Sequence, residues 1–226
     1  MGQQKMADLP VERVVPDLPA FTNVGVDYFA PVEVKKGRGR VKRYGVLFTC
    51  LPSRAVDLEV AYALYTYSCI NAMWRFMCRR GQISHLISDN GTNFIRAERE
   101  LREAVSNLDH SKIQHALLPN GLTWTFNPPA GSHHGGVWER LIRLVKRVLS
   151  STLRLQTLDD ESFHTVLFEA EAILNSCPIT KASENVNDLE ALTPNHVLLL
   201  NTKPLLPPGL FQRDDLYLKR RWRQVQ

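Results

Sequence analysis

Apolar and polar positions change period several times along the chain, and each change marks an element. From Phe21 to Glu33 an apolar, β-branched stretch alternates with period two, which predicts a strand. Lys35 to Arg43 is basic and contains glycines, the composition of a hairpin tip, and Val41 to Leu51 returns as the partner strand. A third strand over Arg54–Tyr62 completes an antiparallel meander. Thr66 to Arg80 then changes to helical period, with Ile70, Trp74 and Met77 on one face and Gly81 at the C-cap.

Beyond that helix the pattern alternates between short strands and helices. Ile83–Ser88 is apolar and short, bounded by glycine before and Asp-Asn-Gly after, so it reads as a buried strand. Ile95–Leu108 has the pattern of a charged amphipathic helix, His110–Leu118 of a short helical turn, and Leu122–Phe126 of a further strand. After a loop over Asn127–Gly135 a long helix runs to about Leu155, and a second spans Asp159–Asn175, stopped ahead of Pro178. Three strands, then alternating helices and strands, then two long helices imply an α/β protein built on a mixed sheet. From Cys177 onward the chain is rich in Pro, Asn and Leu with little period, the pattern of a linker, and it ends in the basic run Lys219, Arg220, Arg221, Arg223.

Composition narrows this only slightly. A length of 226 residues suits one main domain with tails, and 44% hydrophobic with 23% charged residues is ordinary for a folded globular chain. The net charge of +5 suits a polyanionic partner without requiring one. Cys50, Cys69, Cys78 and Cys177 form no CxxC pair and have no histidine at finger spacing, so they read as reduced thiols of a nuclear or cytoplasmic protein. No apolar run reaches the ~20 residues of a membrane span, and the polar start is no signal peptide, so neither membrane insertion nor secretion is expected. Gly2 is not read as a myristoylation site, because Met6 stands where that motif has Ser or Thr.

Three carboxylates stand out by position. Asp27 interrupts an apolar strand between Val26 and Tyr28, Asp89 directly follows the fourth strand, and Glu139 lies in the first turn of the long helix. Each has an ordinary explanation alone: a strand residue facing water, a turn residue, and a complement to the helix dipole. Gathered on one face of a sheet they would repel one another, and a divalent cation would relieve that repulsion. Carboxylate oxygens are the hard donors that Mg²⁺ favours.

Val-Gly-Val-Asp27-Tyr-Phe, Ile-Ser-Asp89-Asn-Gly-Thr-Asn-Phe, and Phe-Asn-Pro-Pro followed by Gly-Gly-Val-Trp-Glu139-Arg resemble, in order, the three motifs of retroviral-type integrase catalytic cores. The wording is closest to integrases of Pao/BEL retrotransposons, and the resemblance runs from about Leu18 to Leu200, including Leu192-Thr-Pro-Asn-His-Val-Leu-Leu. It implies an RNase H-like sheet of five strands, three antiparallel then two parallel, with helices on both faces. It also implies a metal-dependent polynucleotidyl transferase that processes a DNA 3′ end and joins it to target DNA. Asp27 would bridge two Mg²⁺ or Mn²⁺ ions, and Asp89 and Glu139 would each complete one of them.

Carried over by position, Arg143 and Lys146 would contact the DNA end, within a helix that carries Arg140, Arg143, Lys146, Arg147 and Arg154 against Glu139 alone. Asn93 and His134 are further candidates for DNA contact, though loop histidines such as His133 and His134 are more often simply exposed. The resemblance implies a homodimer formed through the helices that carry Ile70, Trp74 and Met77 and Phe163, Val166, Leu167, Ala170 and Leu174. The bland alternative is that both stripes only cover the sheet.

Departures from the family pattern keep other readings open. Positions 90–138 separate Asp89 from Glu139, a longer interval than the retroviral pattern, and Gly135 stands where that pattern has a polar residue. The expected organisation is a linker stub over 1–18, a catalytic core over 19–200 and a basic stub over 201–226. Neither the zinc module nor the small DNA-binding domain that flank family cores is expected in this chain. A domesticated, non-integrating DNA- or protein-binding module is therefore the rival, and an RNase H-type nuclease the third reading.

Overall fold

The computed structural model describes residues 14–15, 18–88, 107–109, 111–113, 121–126, 136–153, 158–180 and 191–199. Five strands form one sheet in the order β3-β2-β1-β4-β5, namely β1 Asn23–Lys36, β2 Gly39–Cys50, β3 Val56–Ala61, β4 His85–Ser88 and β5 Thr123–Phe126. The β1–β2 and β2–β3 pairs are antiparallel, while β1–β4 and β4–β5 are parallel. This is the mixed sheet expected from the sequence, with β1 at its centre.

Alternation along the strands builds two cores. Val24, Val26 and Tyr28 of β1 and Val46 and Phe48 of β2 pack with Cys69, Ala72, Met73 and Phe76 of helix α1 (Thr66–Arg80). Phe29, Leu47, Leu58 and Val60 face the other way. They meet Ile142, Val145 and Leu149 of α2 (Gly136–Leu153) and Phe163, Leu167 and Ala170 of α3 (Asp160–Asn175). Asp159 caps α3, its carboxylate accepting the Ser162 N–H at 2.8 Å, and Asp160 and Glu161 complement the dipole in the first turn.

Several boundaries differ from expectation. The basic segment assigned to a hairpin tip is mostly strand: β1 continues to Lys36, β2 begins at Gly39, and only positions 37–38 turn. Gly37, at φ +59°, is the first of those two residues, where a type II′ hairpin turn uses glycine. On α1 the buried stripe is Cys69, Ala72, Met73, Phe76 and Met77, so the stripe of Ile70, Trp74 and Met77 marks the border of the buried face, and Trp74 is 41% exposed.

The segment after Cys177 is not wholly a linker. Helix α4 (Pro194–Leu199) docks on the core, with Leu198 packed against the α1-side cluster and the Asn195 amide donating to Ser176 Oγ. The helix expected over 95–108 lies outside the described residues except for its last two positions, and of the turn expected over 110–118 only Ser111–Ile113 is described, as a helical turn. Among the described residues no helix is long and apolar enough to cross a membrane.

The outer edge of β3 is closed by side chains. The Asn175 amide donates to Val56 O and its Oδ1 accepts the Val56 N–H, both at 2.8 Å; Glu171 accepts the Leu58 N–H at 2.9 Å; Arg75 donates to Val60 O. Both backbone groups of Val56, the N–H of Leu58 and the C=O of Val60 on this edge strand are thereby engaged, which blunts it as a template for pairing with another strand.

Candidate active site

Asp27 lies on the central strand with its side chain 8% exposed. Its neighbours Val26 and Tyr28 belong to the α1-side core, so alternation turns Asp27 to the opposite face, with Phe29 two residues on. Its Oδ1 accepts the N–H of Tyr28 at 2.7 Å, which fixes the carboxylate close to its own backbone. The strand cannot shift easily beneath it. Phe29 lies directly over Gly45, the residue paired with it on β2, so closely that a Cβ at Gly45 would fall 1.8 Å from the Phe29 ring.

The last described pair of the parallel β1–β4 ladder is Val26↔Ser88, and Asp27 and Asp89 are each the next residue in sequence after it. Ser88 is itself buried and its hydroxyl accepts the indole N–H of Trp124 at 2.9 Å, tying the end of β4 to β5. Asp89 lies outside the described residues, as do Asn93, His133, His134 and Arg154.

Glu139 is the fourth residue of α2, one turn before the buried Ile142, on the helix that packs over the face to which Asp27 turns; its side chain is outside the described residues. Arg140, Arg143 and Arg147 form an exposed stripe of α2, while Lys146 is half-buried beside it. Asp27 thus stands beside the end of β4, on the face of the sheet that α2 covers through Ile142, Val145 and Leu149. No cluster of three or more His, Cys, Asp or Glu suited to a metal exists among the described residues. The fit of a divalent ion therefore rests on donor chemistry: a buried, backbone-anchored hard-oxygen ligand at Asp27.

A carboxylate–arginine network on the β3 edge escaped sequence reasoning. Asp57 accepts from Arg79 and Arg80 at 2.7 Å each, Glu59 accepts from Arg75 and Arg79, and Arg80 reaches round the edge to Glu171 on α3 at 2.7 Å. Burial pushes the Glu171 carboxyl up to about 7, helped by the nearby charge of Asp57, against the pull of the Leu58 N–H and the arginines. Burial also raises Asp57 despite its two guanidinium partners. The signal lay in Val56-Asp-Leu-Glu-Val60, whose alternation puts two acids on the face where α1 places arginines.

The cysteines are free, with Cys50 and Cys69 buried and Cys78 and Cys177 exposed. Burial pushes the Cys69 thiol up to about 11, an unreactive state.

No protein-family model matches this chain, and no curated protein does. Among solved structures, the catalytic core domain of BIV integrase is similar at 19% identity, covering 80% of this chain and 95% of that one with a TM-score of 0.50. The HTLV-2 integrase catalytic core domain in complex with magnesium, in its dimeric form, is similar at 15% identity, covering 80% and 97%, also with a TM-score of 0.50. A chain of the simian T-cell lymphotropic virus intasome in complex with PP2A regulatory subunit B56 gamma is similar at 15% identity and a TM-score of 0.53. That alignment covers 93% of this chain and spans 64% of the viral one. The fold is that of a retroviral integrase catalytic core, an RNase H-like mixed sheet.

Proposed function

We propose that the protein is a metal-dependent polynucleotidyl transferase of the DNA integrase type, with Asp27, Asp89 and Glu139 as its metal-binding carboxylates. One observation carries the reading. A buried aspartate stands mid-strand at the centre of the sheet, level with the end of the neighbouring parallel strand and under the helix that carries Glu139. The similarity to the HTLV-2 core in complex with magnesium supports the choice of ion. The Pao/BEL wording of the motifs supports a retrotransposon origin and DNA, both element ends and target, as the substrate.

Bound divalent ions, two in this reading, supply Lewis acidity toward the reacting phosphate oxygens and activate the attacking water or 3′-OH. The chain's own part is to hold oxygen donors and position the nucleic acid. Asp27, fixed by the Tyr28 N–H, supplies a rigid donor from the sheet. The Trp124–Ser88 bond holds the end of β4, from which Asp89 follows. Arg140, Arg143 and Arg147 offer an exposed row of guanidinium groups to backbone phosphates, with Lys146 beside them.

The test is strand cleavage and joining on duplex DNA with Mg²⁺ or Mn²⁺. Asp27→Asn, Asp89→Asn and Glu139→Gln should each lower the rate at least ~100-fold while circular dichroism and melting remain those of a folded protein. Wild-type cleavage by any one of them removes that residue from the mechanism. Digestion of an RNA–DNA hybrid in place of duplex DNA would favour the RNase H-type nuclease instead.

A further inference from the structure

The β1–β2 hairpin runs well beyond the sheet that carries it. Pairing of β2 with β3 stops at Tyr44↔Ala61 and the last described pair of β1 with β4 is Val26↔Ser88, while β1 and β2 stay paired out to Lys36↔Gly39. Residues 32–42 therefore form a two-stranded arm. One of its faces is anchored: Val34 is fully buried and Val32 and Val41 pack on the α2/α3 core. Two polar ties hold it there. Lys35 N donates to Leu158 O at 2.7 Å, and the buried Arg43 forms a two-pronged ion pair with Asp160 at 2.6 and 2.9 Å. The arm is a fixed ribbon, not a loose loop.

Its other face and its tip are charged and exposed. Lys35, Lys36, Arg38, Arg40 and Lys42 are all exposed, and Glu33 is the arm's one acid. The charges are not equally available. Lys35 and Lys36 lie near enough to Asp159 and Asp160 to help hold those carboxyls below their usual range, after the Ser162 N–H at Asp159 and the Arg43 guanidinium at Asp160. Arg40 faces Glu33 at 3.6 Å, a solvent-screened contact of little strength. Positive charge is thus concentrated at Arg38 and Arg40, at the tip of the arm.

Direction gives this charge a relation to the candidate active site. The arm extends β1 past Asp27, in the direction in which the parallel strands β4 and β5 also end. At ~3.3 Å per residue, positions 32–36 lie roughly 16–30 Å beyond Asp27 along the strand. Helix α2, with its exposed arginines, ends at Leu153, within ~18 Å of chain of Leu158, where the arm is tied. The helix that carries these arginines and the arm thus cover the same face of the sheet.

We propose that the β1–β2 arm is a second DNA contact, in which Arg38 and Arg40 engage backbone phosphates of the substrate duplex about eight to ten base pairs from the phosphodiester held at Asp27, at ~3.4 Å per step. It rests on the DNA-directed reading above. The competing account is that the charges only keep the arm's open strand edges from pairing with another molecule.

The experiment measures binding of the full chain to a fluorescent duplex in EDTA as salt rises. Arg38→Gln/Arg40→Gln is compared with wild type and with Arg54→Gln/Lys112→Gln, whose exposed cations lie off the arm, Arg54 in the turn at the far end of β2. The expected result is that the arm pair loses about 1.8 from the slope of log K against log salt, at about 0.9 per phosphate, while the control pair keeps the wild-type slope. An unchanged slope in the arm pair, an equal loss in the control pair, or self-association of the arm variant with unaltered DNA binding each overturns the proposal and leaves the transferase reading standing. Failure of the wild type to bind DNA at all overturns both.

Discussion

Phe29 and Gly45 show how a single contact fixes the geometry beneath Asp27. Phe29 is two residues beyond Asp27 on the same face, and its buried ring occupies the space a side chain at position 45 would need. Gly45→Ala should therefore destabilise the protein by about 1–3 kcal/mol, the usual cost of overpacking, as read by urea denaturation. Because the displaced residue shares a strand with Asp27, activity should fall further than stability predicts; a variant as stable and active as wild type would remove Phe29 as a brace of the site. Asp27 itself was legible in the sequence, since an acid between Val26 and Tyr28 in an alternating apolar strand demands a reason. Gly45 was not, because a glycine in a strand does not announce which ring covers it.

At the scale of elements, the ends of β3, α1 and α3 are held together by charge. Glu171 accepts the Leu58 N–H from α3 and Arg80 from α1, and its carboxyl is raised to about 7 chiefly by burial. A carboxyl raised in the folded state binds its proton more tightly there than in the unfolded chain, so its contribution to stability is full below about 4.5 and is lost as pH rises to about 7. Wild type should accordingly lose stability across that window relative to Glu171→Gln, which stays neutral. Melting temperatures of the two proteins at closely spaced pH values check this, and parallel curves would contradict it. The pairings were legible only in part: alternation put Asp57 and Glu59 on one face, but their arginines on α1 follow them by 16 or more positions and Glu171 on α3 follows Leu58 by 113.

Helix faces were legible in part. The helical period of α3 was correct, yet Phe163, Leu167, Ala170 and Leu174 are consumed by the molecule's own core and cannot serve an interface. The large apolar residues these helices leave outside are Tyr67 and Trp74 on α1 and Phe168 and Ile173 on α3, at 72%, 41%, 49% and 41% exposed. Should the chain form the homodimer expected from its motifs, these residues and not the buried stripe would carry it. Sedimentation at micromolar concentration should then give a species near twice 25.7 kDa that Trp74→Glu or Phe168→Glu returns to monomer. A monomeric wild type would contradict the assembly.

For the whole molecule, the antiparallel meander of β1, β2 and β3 followed from the change of period at each element, and the short strand β4 was marked by its glycine and Asp-Asn-Gly bounds. The parallel direction of β4 and β5 was implied by the family resemblance and not by the pattern. The docking of α4 did not follow from the pattern either, since Pro194–Leu199 is too short to show a helical period and gains its place from contact with the core. The expectation that three carboxylates meet came from the order of three motifs and not from periodicity; of the three side chains Asp27 is described, beside the end of β4 and on the face that α2 covers. The most direct test is a crystal structure of the protein soaked in Mn²⁺, with the ion located by its anomalous signal. The account predicts Mn²⁺ within bonding distance of carboxylate oxygens from both Asp27 and Asp89, with Glu139 completing the site. An ion-saturated crystal with no peak at Asp27, or with Glu139 turned away from it, would contradict the account.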